Sequence, residues 1–156
     1  MSFTFSHTIG ALSPQAGPSL VDPDGFGVDY STFAGDGTVR LDLHFRPMTG
    51  PRVVAQRVAR GWLIPRKKLF WDESVGDNLP AMLNHDWTPD NLRAWKIALE
   101  NGAKKEDGCI DCKVTLTAST ATKTLTVDGV VYTKAGSFPL TVVAGDAIAI
   151  LFPEAA

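Results

Sequence analysis

The hydrophobic pattern of the chain changes period along its length. From Cys109 onward, apolar and polar residues alternate, which is typical of strands with one buried face. The runs 123–127 and 130–134 flank Asp128-Gly129, a pair that favours a tight hairpin turn. The runs 138–143 and 147–152 flank a second turn at 144–146. The pattern therefore predicts an antiparallel sheet over the last third of the chain.

The last run is apolar on both faces. It consists of Ala147, Ile148, Ala149, Ile150, Leu151 and Phe152. An edge strand of this kind promotes aggregation when it is left alone. We therefore expect it to pair with another chain.

Upstream of the sheet, the apolar spacing is helical. It predicts a helix over residues 53–60 and a short one over 79–83, with Pro80 in the first turn, where a missing N–H costs nothing. A third helix is predicted to start after Thr88, a good N-cap residue, and to stop at Gly102.

Between the first two predicted helices, Trp62 to Ile64 and Leu69 to Trp71 are predicted to form two arms of a hairpin with its turn at 65–68. Residues 38–46 alternate cleanly and predict a half-buried strand. Residues 1–37 are rich in Gly, Pro and Ser without a period, which indicates an extended N-terminal arm. We therefore expect an α+β fold, with two or three helices packed on a mainly antiparallel β-sheet. The arm spans 1–37 and the domain 38–156.

Composition narrows the function classes. A chain of 156 residues with 44% hydrophobic and 21% charged residues is that of an ordinary globular domain. The net charge of −2 disfavours nucleic acid as a partner. No apolar run is long enough for a membrane span, and the N-terminus does not resemble a secretory signal. A cytoplasmic site of synthesis is expected.

Candidate chemistry is sparse. Cys109 and Cys112 are spaced as CxxC, but the three histidines are scattered and the context is a strand onset, so we expect two semi-buried thiols and no metal or redox site. No phosphate loop or activated serine motif is present. The four tryptophans are expected to supply core or interface contacts. The residues predict no cofactor and no enzyme activity.

The stretch 60–79 carries a resemblance to a known family. It matches a pattern in which an arginine and a leucine precede Thr-Pro-x-Gly-x-Leu, followed by an aromatic residue and Asp-Pro-x-Tyr-Gly-x-Asp-Leu. The matching residues are Arg60, Leu63, Pro65, Leu69, Trp71, Asp72, Gly76 and Leu79. The departures are Ile64, Lys67, Glu73, Val75 and Asn78. This pattern resembles the baseplate wedge and sheath-initiator proteins of contractile phage tails, whose relatives in type VI secretion and extracellular injection systems include a subunit called lysozyme-like. The resemblance covers roughly residues 38–143.

The resemblance implies a structural virion protein without turnover. Family members join the baseplate wedge to the tail tube or hub, and the first sheath ring adds to them by strand addition, with six copies per baseplate assembled in the host cytoplasm. The family's Glu-Pro-Arg wedge contact corresponds to Glu106-Asp107-Gly108, where only the glutamate matches. The implied wedge contact is therefore Lys104, Lys105 and Glu106, and the implied sheath strand is the run 147–152.

Two other interpretations stay open. One is another tail component, such as a hub or adaptor subunit. The other is a small lysozyme-like cell-wall hydrolase, for which Asp72, Glu73, Asp77 and Glu106 are the available carboxylates.

Overall fold

The computed structural model describes residues 22, 25–30, 47–70, 72–146 and 148–151. Within them the chain forms a four-stranded antiparallel sheet, a two-stranded antiparallel pair and three helices, so the predicted α+β class is confirmed. In chain order the elements are β1 (Asp29–Tyr30), β2 (Pro47–Met48), α1 (Pro51–Leu63), α2 (Leu79–Met82), α3 (Pro89–Ala103), β3 (Asp111–Ser119), β4 (Thr124–Thr133), β5 (Gly136–Ala144) and β6 (Ile148–Leu151).

The four strands follow one another in the order β3-β4-β5-β6, each antiparallel to the next. This confirms the antiparallel sheet predicted for the last third of the chain. One face of the sheet is buried, because the side chains that point to it are apolar and lie under the helices. α1 packs against β4 and β5, while α3 packs against β3. The core thus lies between the helices and this single face of the sheet.

Trp62 connects α1, α3 and the sheet within the core. Its side chain is fully buried at the end of α1, and its indole Nε1–H donates a hydrogen bond to the carbonyl oxygen of Leu99 in α3 (3.1 Å). The ring also lies over Gly129 in the middle of β4, where a side chain would have no space: a Cβ atom there would lie 2.6 Å from Trp62 Cη2.

That contact explains why the predicted hairpin at Asp128-Gly129 is wrong. β4 runs straight through both residues, with Gly129 paired to Val114 on one side and Leu140 on the other. The chain reverses instead at 120–123 and at 134–135. Gly129 is therefore suited to a close approach of the indole rather than to a turn.

The hairpin predicted between Trp62 and Trp71 is also wrong. Its first arm is the last turn of α1, which extends to Leu63 rather than stopping near residue 60. Residues 64–70 and 72–78 form turns and irregular backbone. The apolar residues of the first arm satisfy a helix as well as a strand, and a short apolar run does not distinguish the two.

The third helix begins as predicted and ends later. Thr88 is the N-cap, since its Oγ1 accepts a hydrogen bond from the Asn91 N–H (3.3 Å), and Pro89 opens the helix. Gly102 does not end it, because α3 continues through Ala103. A side chain at Gly102 would overlap the Asp77 carboxylate, so this glycine makes room for a neighbouring loop. The short helix expected after residue 78 is α2.

The described part of the N-terminal region packs on the domain. Asp22 accepts hydrogen bonds from the backbone N–H groups of Phe26 (3.1 Å) and Gly27 (2.6 Å). Phe26 is buried beside Gly108 and Val54. Most of the predicted arm, and the strand predicted over 38–46, lie outside the described residues.

Candidate interaction surfaces

Among the described residues, the four-stranded sheet has two edge strands, β3 and β6. On β3, the Val114 N–H donates to Oε1 of Glu100 in α3 (3.0 Å), and the Cys112 N–H donates to Oδ1 of Asp111 (2.9 Å). Neither amide is therefore engaged in the ladder with β4. Backbone groups of alternate residues in an antiparallel pair point to opposite sides. The even-numbered amides of β3 therefore point away from the sheet.

The same alternation identifies the outward amides of β6. The registers β3–β4, β4–β5 and β5–β6 continue without a shift along each pair. Carrying the alternation across them, Ala149 and Leu151 exchange main-chain hydrogen bonds with β5, and Ile148 and Ile150 direct their N–H and C=O groups to the outside. The outer edge of β6 thus presents two donors and two acceptors to a further strand.

The side chains of β6 are all apolar. Ile150 is buried and Ile148 half-buried on the core face. Ala149 is half-buried on the opposite face, and Leu151 is 45% exposed there. The structure therefore places four of the six residues predicted to bind a strand on an edge, while Ala147 and Phe152 lie outside the described residues.

The β3 edge has a different character. Two of its outward amides are occupied by the carboxylates of Glu100 and Asp111. Lys113 and two exposed threonines, Thr115 and Thr117, occupy its solvent face. Charged side chains on an edge strand discourage pairing with another chain. Of the two edges, β6 is the better acceptor for a strand.

The stretch 60–79 is constrained at Gly76 and Leu79, which match the family pattern, and at Lys67, which departs from it. Gly76 has φ 108°, and a Cβ atom there would lie 2.5 Å from the carbonyl oxygen of Ile64. Leu79 is fully buried at the start of α2. Lys67 has φ 60°, in the left-handed region that glycine adopts without cost, in a turn closed by the Lys68 N–H to the Pro65 carbonyl oxygen (3.3 Å).

Other residues of the stretch hold local structure. Arg60 forms an ion pair with Asp29, which ties α1 to β1. Asp72 accepts hydrogen bonds from the N–H (2.9 Å) and the hydroxyl (2.7 Å) of Ser74, and these bonds lower the pKa of Asp72. Trp71 lies outside the described residues.

The three residues of the implied wedge contact face two directions. Lys104 Nζ forms an ion pair with Asp111 (2.8 Å), and this hydrogen bond raises the pKa of Lys104. Lys105 and Glu106 instead line a small cavity beside the 64–78 loop. Burial raises the pKa of Glu106, against the opposing effect of Arg57 and Arg60.

That cavity brings together two carboxylates. It has a volume of about 30 Å³ and is lined by Gly61, Ser74, Val75, Gly76, Asp77, Gly102, Lys105 and Glu106. Burial raises the pKa of Asp77 to about 6, although Arg66 and Lys105 favour its charged form. Space of this size holds about one water molecule, so the cavity itself cannot admit a sugar ring. A wider depression of about 230 Å³ lies beside it, bounded by Arg57, Arg60 and Glu106 among others.

Sequence reasoning missed three features. Phe70 is 90% exposed, two residues after the basic 65–68 turn in the sequence. Asp77 lies in the same cavity as Glu106 only because the 64–78 loop folds onto α3. Glu100 reaches an edge amide 14 residues further along the chain. The positions of Asp77 and Glu100 have no sequence signal, since each depends on a contact between separate elements.

Neither a metal-ligand cluster nor a membrane-spanning helix is present within the part of the chain that the structure describes. There, no group of three or more His, Cys, Asp or Glu side chains is placed to hold a metal ion. Both cysteines are free thiols, with Cys112 buried and Cys109 half-buried, and burial raises the pKa of each. No helix of the described residues is long and apolar enough to cross a membrane.

No protein-family model matches this chain, and no curated protein is significantly similar to it.

Proposed function

We propose that this chain is a structural subunit of a contractile-tail baseplate, of the wedge or sheath-initiator type, which receives a strand from the first sheath ring on the outer edge of β6. The observation that carries the proposal is the difference between the two sheet edges. The outer edge of β6 presents the main-chain N–H and C=O groups of Ile148 and Ile150, and the strand has apolar side chains on both faces. On β3, by contrast, two outward amides already donate to carboxylates.

The energetic basis is strand addition. An incoming strand gains main-chain hydrogen bonds along the edge, and the side chains on alternate positions make the pairing specific. A strand of four to five residues opposite β6 would place one set of side chains beside Ile148 and Ile150, and the other beside Ala149 and Leu151. Apolar side chains on both faces of the incoming strand are therefore the expected complement.

The assignment to contractile tails is supported by the stretch 60–79. Gly76 lies where the family pattern has glycine, and its backbone leaves no room for a Cβ atom. Lys67 adopts the left-handed conformation at another glycine position of the pattern. The proposed setting is the virion baseplate, assembled in the host cytoplasm in six copies, with wedge, tube or hub, and sheath proteins as partners.

The wedge contact is proposed around Lys105, Glu106 and the neighbouring 64–78 loop. Lys104 contributes less to it, because its ammonium group is already paired with Asp111. Phe70, exposed on the same loop, extends the surface available to a wedge subunit.

Two substitutions at one position test the strand mechanism. Ile148→Pro removes an outward N–H at the first residue of β6, where proline is tolerated, and leaves the ladder to β5 intact. Ile148→Ala removes a similar amount of side chain but keeps the N–H. Each is expressed with the sheath protein of the same virion, and sheath addition is measured by co-purification and negative-stain microscopy.

We expect Ile148→Pro to weaken sheath addition by at least about tenfold relative to Ile148→Ala, the equivalent of about 1.4 kcal/mol. Equal binding by the two variants would rule out strand addition at β6. A genomic neighbourhood without sheath, tube and wedge genes would reject the contractile-tail setting. Peptidoglycan turnover by the purified chain, abolished by Glu106→Gln, would replace the proposal with the hydrolase.

A further inference from the structure

We propose that Glu100 closes the β3 edge, so that the sheet accepts a strand on β6 and copies of this chain do not add to one another head to tail. The inference rests on the proposed role of β6 as a strand acceptor. It adds a specificity-determining residue that lies on the opposite side of the sheet.

The first support is the placement of the carboxylate. Glu100 projects from α3, and its Oε1 accepts the outward N–H of Val114 at 3.0 Å. Lys96, one turn earlier in the same helix, lies 3.9 Å from that oxygen. The glutamate side chain is 22% exposed, so the carboxylate lies at the boundary between the helix and solvent, where a competing strand would approach.

The second support is the number of outward amides. By the alternation along β3, these belong to Cys112, Val114, Leu116 and Ala118. The Glu100 carboxylate accepts the Val114 N–H, and the Asp111 carboxylate accepts the Cys112 N–H. The amides that are left lie in the half of β3 nearest the turn at 120–123, so a docking strand has only half of the edge available.

The consequence concerns assembly. A sheet with two open edges can join β6 of one copy to β3 of the next, which is a head-to-tail contact. Such a contact produces open filaments unless its rotation closes a ring. Blocking one edge leaves a chain that can receive a strand but cannot extend itself.

The test compares two variants of the full chain. Glu100→Gln keeps an oxygen acceptor for the Val114 N–H, whereas Glu100→Ala removes it and adds a residue of high helix propensity. Self-association is measured by sedimentation velocity over a wide range of concentration. The exchange rate of the Val114 amide, measured by NMR, reports on the edge directly.

We expect Glu100→Ala to self-associate at least about tenfold more strongly than Glu100→Gln, with faster exchange at Val114. Adding Ile148→Pro to Glu100→Ala should restore the monomer, because the head-to-tail contact needs both edges. If Glu100→Ala sediments as Glu100→Gln does, or if Ile148→Pro does not reverse its association, the inference is wrong. The sheath-binding experiment on Ile148 is separate, so its failure would reject the role of β6 in binding sheath without changing these results.

Discussion

The contact between Trp62 and Gly129 makes a quantitative prediction for Gly129→Ala. In a strand interior, alanine is ordinarily favoured over glycine by about 0.5–1 kcal/mol, because glycine loses more backbone freedom on folding. Here the added Cβ would lie 2.6 Å from Trp62 Cη2 and 3.4 Å from Cζ3. Neither side can yield easily, since the indole is fully buried and is held by its hydrogen bond to Leu99.

Overpacking of a well-packed core costs about 1–3 kcal/mol. We therefore expect Gly129→Ala to lower the free energy of unfolding by about 1–2 kcal/mol after its gain in backbone entropy is subtracted. Equilibrium urea denaturation followed by circular dichroism measures this difference.

The matched background is Trp62→Phe, in which the smaller ring removes the obstructing atoms. Gly129→Ala should cost much less there, giving a coupling between the two sites of about 1 kcal/mol or more. An alanine variant as stable as the wild type, or a cost that is unchanged in the Trp62→Phe background, would refute the role assigned to this glycine.

Two further substitutions concern Gly76 and Asp77 in the 64–78 loop. Gly76→Ala should destabilise the folded state by about 2–4 kcal/mol in thermal denaturation, because a φ of 108° is combined with a Cβ position 2.5 Å from a backbone oxygen. The control is Gly136→Ala, which should cost less, because Gly136 has φ 129° but a Cβ atom there would meet no atom within 4 Å. The pKa of Asp77, raised by burial from 3.8 to about 6, means that the folded state holds a proton that the unfolded state has released. Stability should therefore fall as the pH rises from about 4 to about 6, by at most about 3 kcal/mol, while Asp77→Asn removes this slope in urea denaturation at several pH values. A wild-type slope retained in Asp77→Asn would assign it to another group, with Glu106 the nearest candidate because its pKa is also raised.

What the sequence predicted well was local. The N-cap at Thr88 depends on a side chain and an amide three residues apart, and the strands of the final sheet depend on alternation along each run. Those signals lie within a few neighbouring residues, where spacing alone determines which face is buried.

Two of the incorrect predictions, those at Gly129 and Gly102, share a cause. The turn and helix-stop preferences of glycine favour a hairpin at Asp128-Gly129 and a helix end at Gly102, yet each glycine is in a regular element and makes room for a side chain from elsewhere. At Gly129 that side chain is Trp62, and at Gly102 it is Asp77. Sequence spacing carries no information on which distant group will approach, so these positions can be interpreted correctly only with the fold in view.

Of the two candidate edges of the sheet, one could be predicted from the sequence and the other could not. The apolar run 147–152 is evident from its composition, and Ile148 to Leu151 form an edge strand. The closing of the other edge by Glu100 is not evident from the sequence, since a glutamate on an exposed helix position usually has no partner in the sheet.

Pro139 limits how far a neighbouring chain can extend along this side of the sheet. It lies in β5 opposite Val130, beyond the last pair that β5 makes with β6, Thr141 with Leu151. By the alternation along β5, its main-chain nitrogen lies on the side where β6 would continue, and a proline offers no donor there. Within the described residues, the row of main-chain donors on this border of β5 is therefore interrupted between Ser137 and Thr141. Over the described part of the chain, a subunit that has not yet met its partner thus presents a short pairing edge on this side of the sheet, which favours brief, reversible encounters over irreversible aggregation.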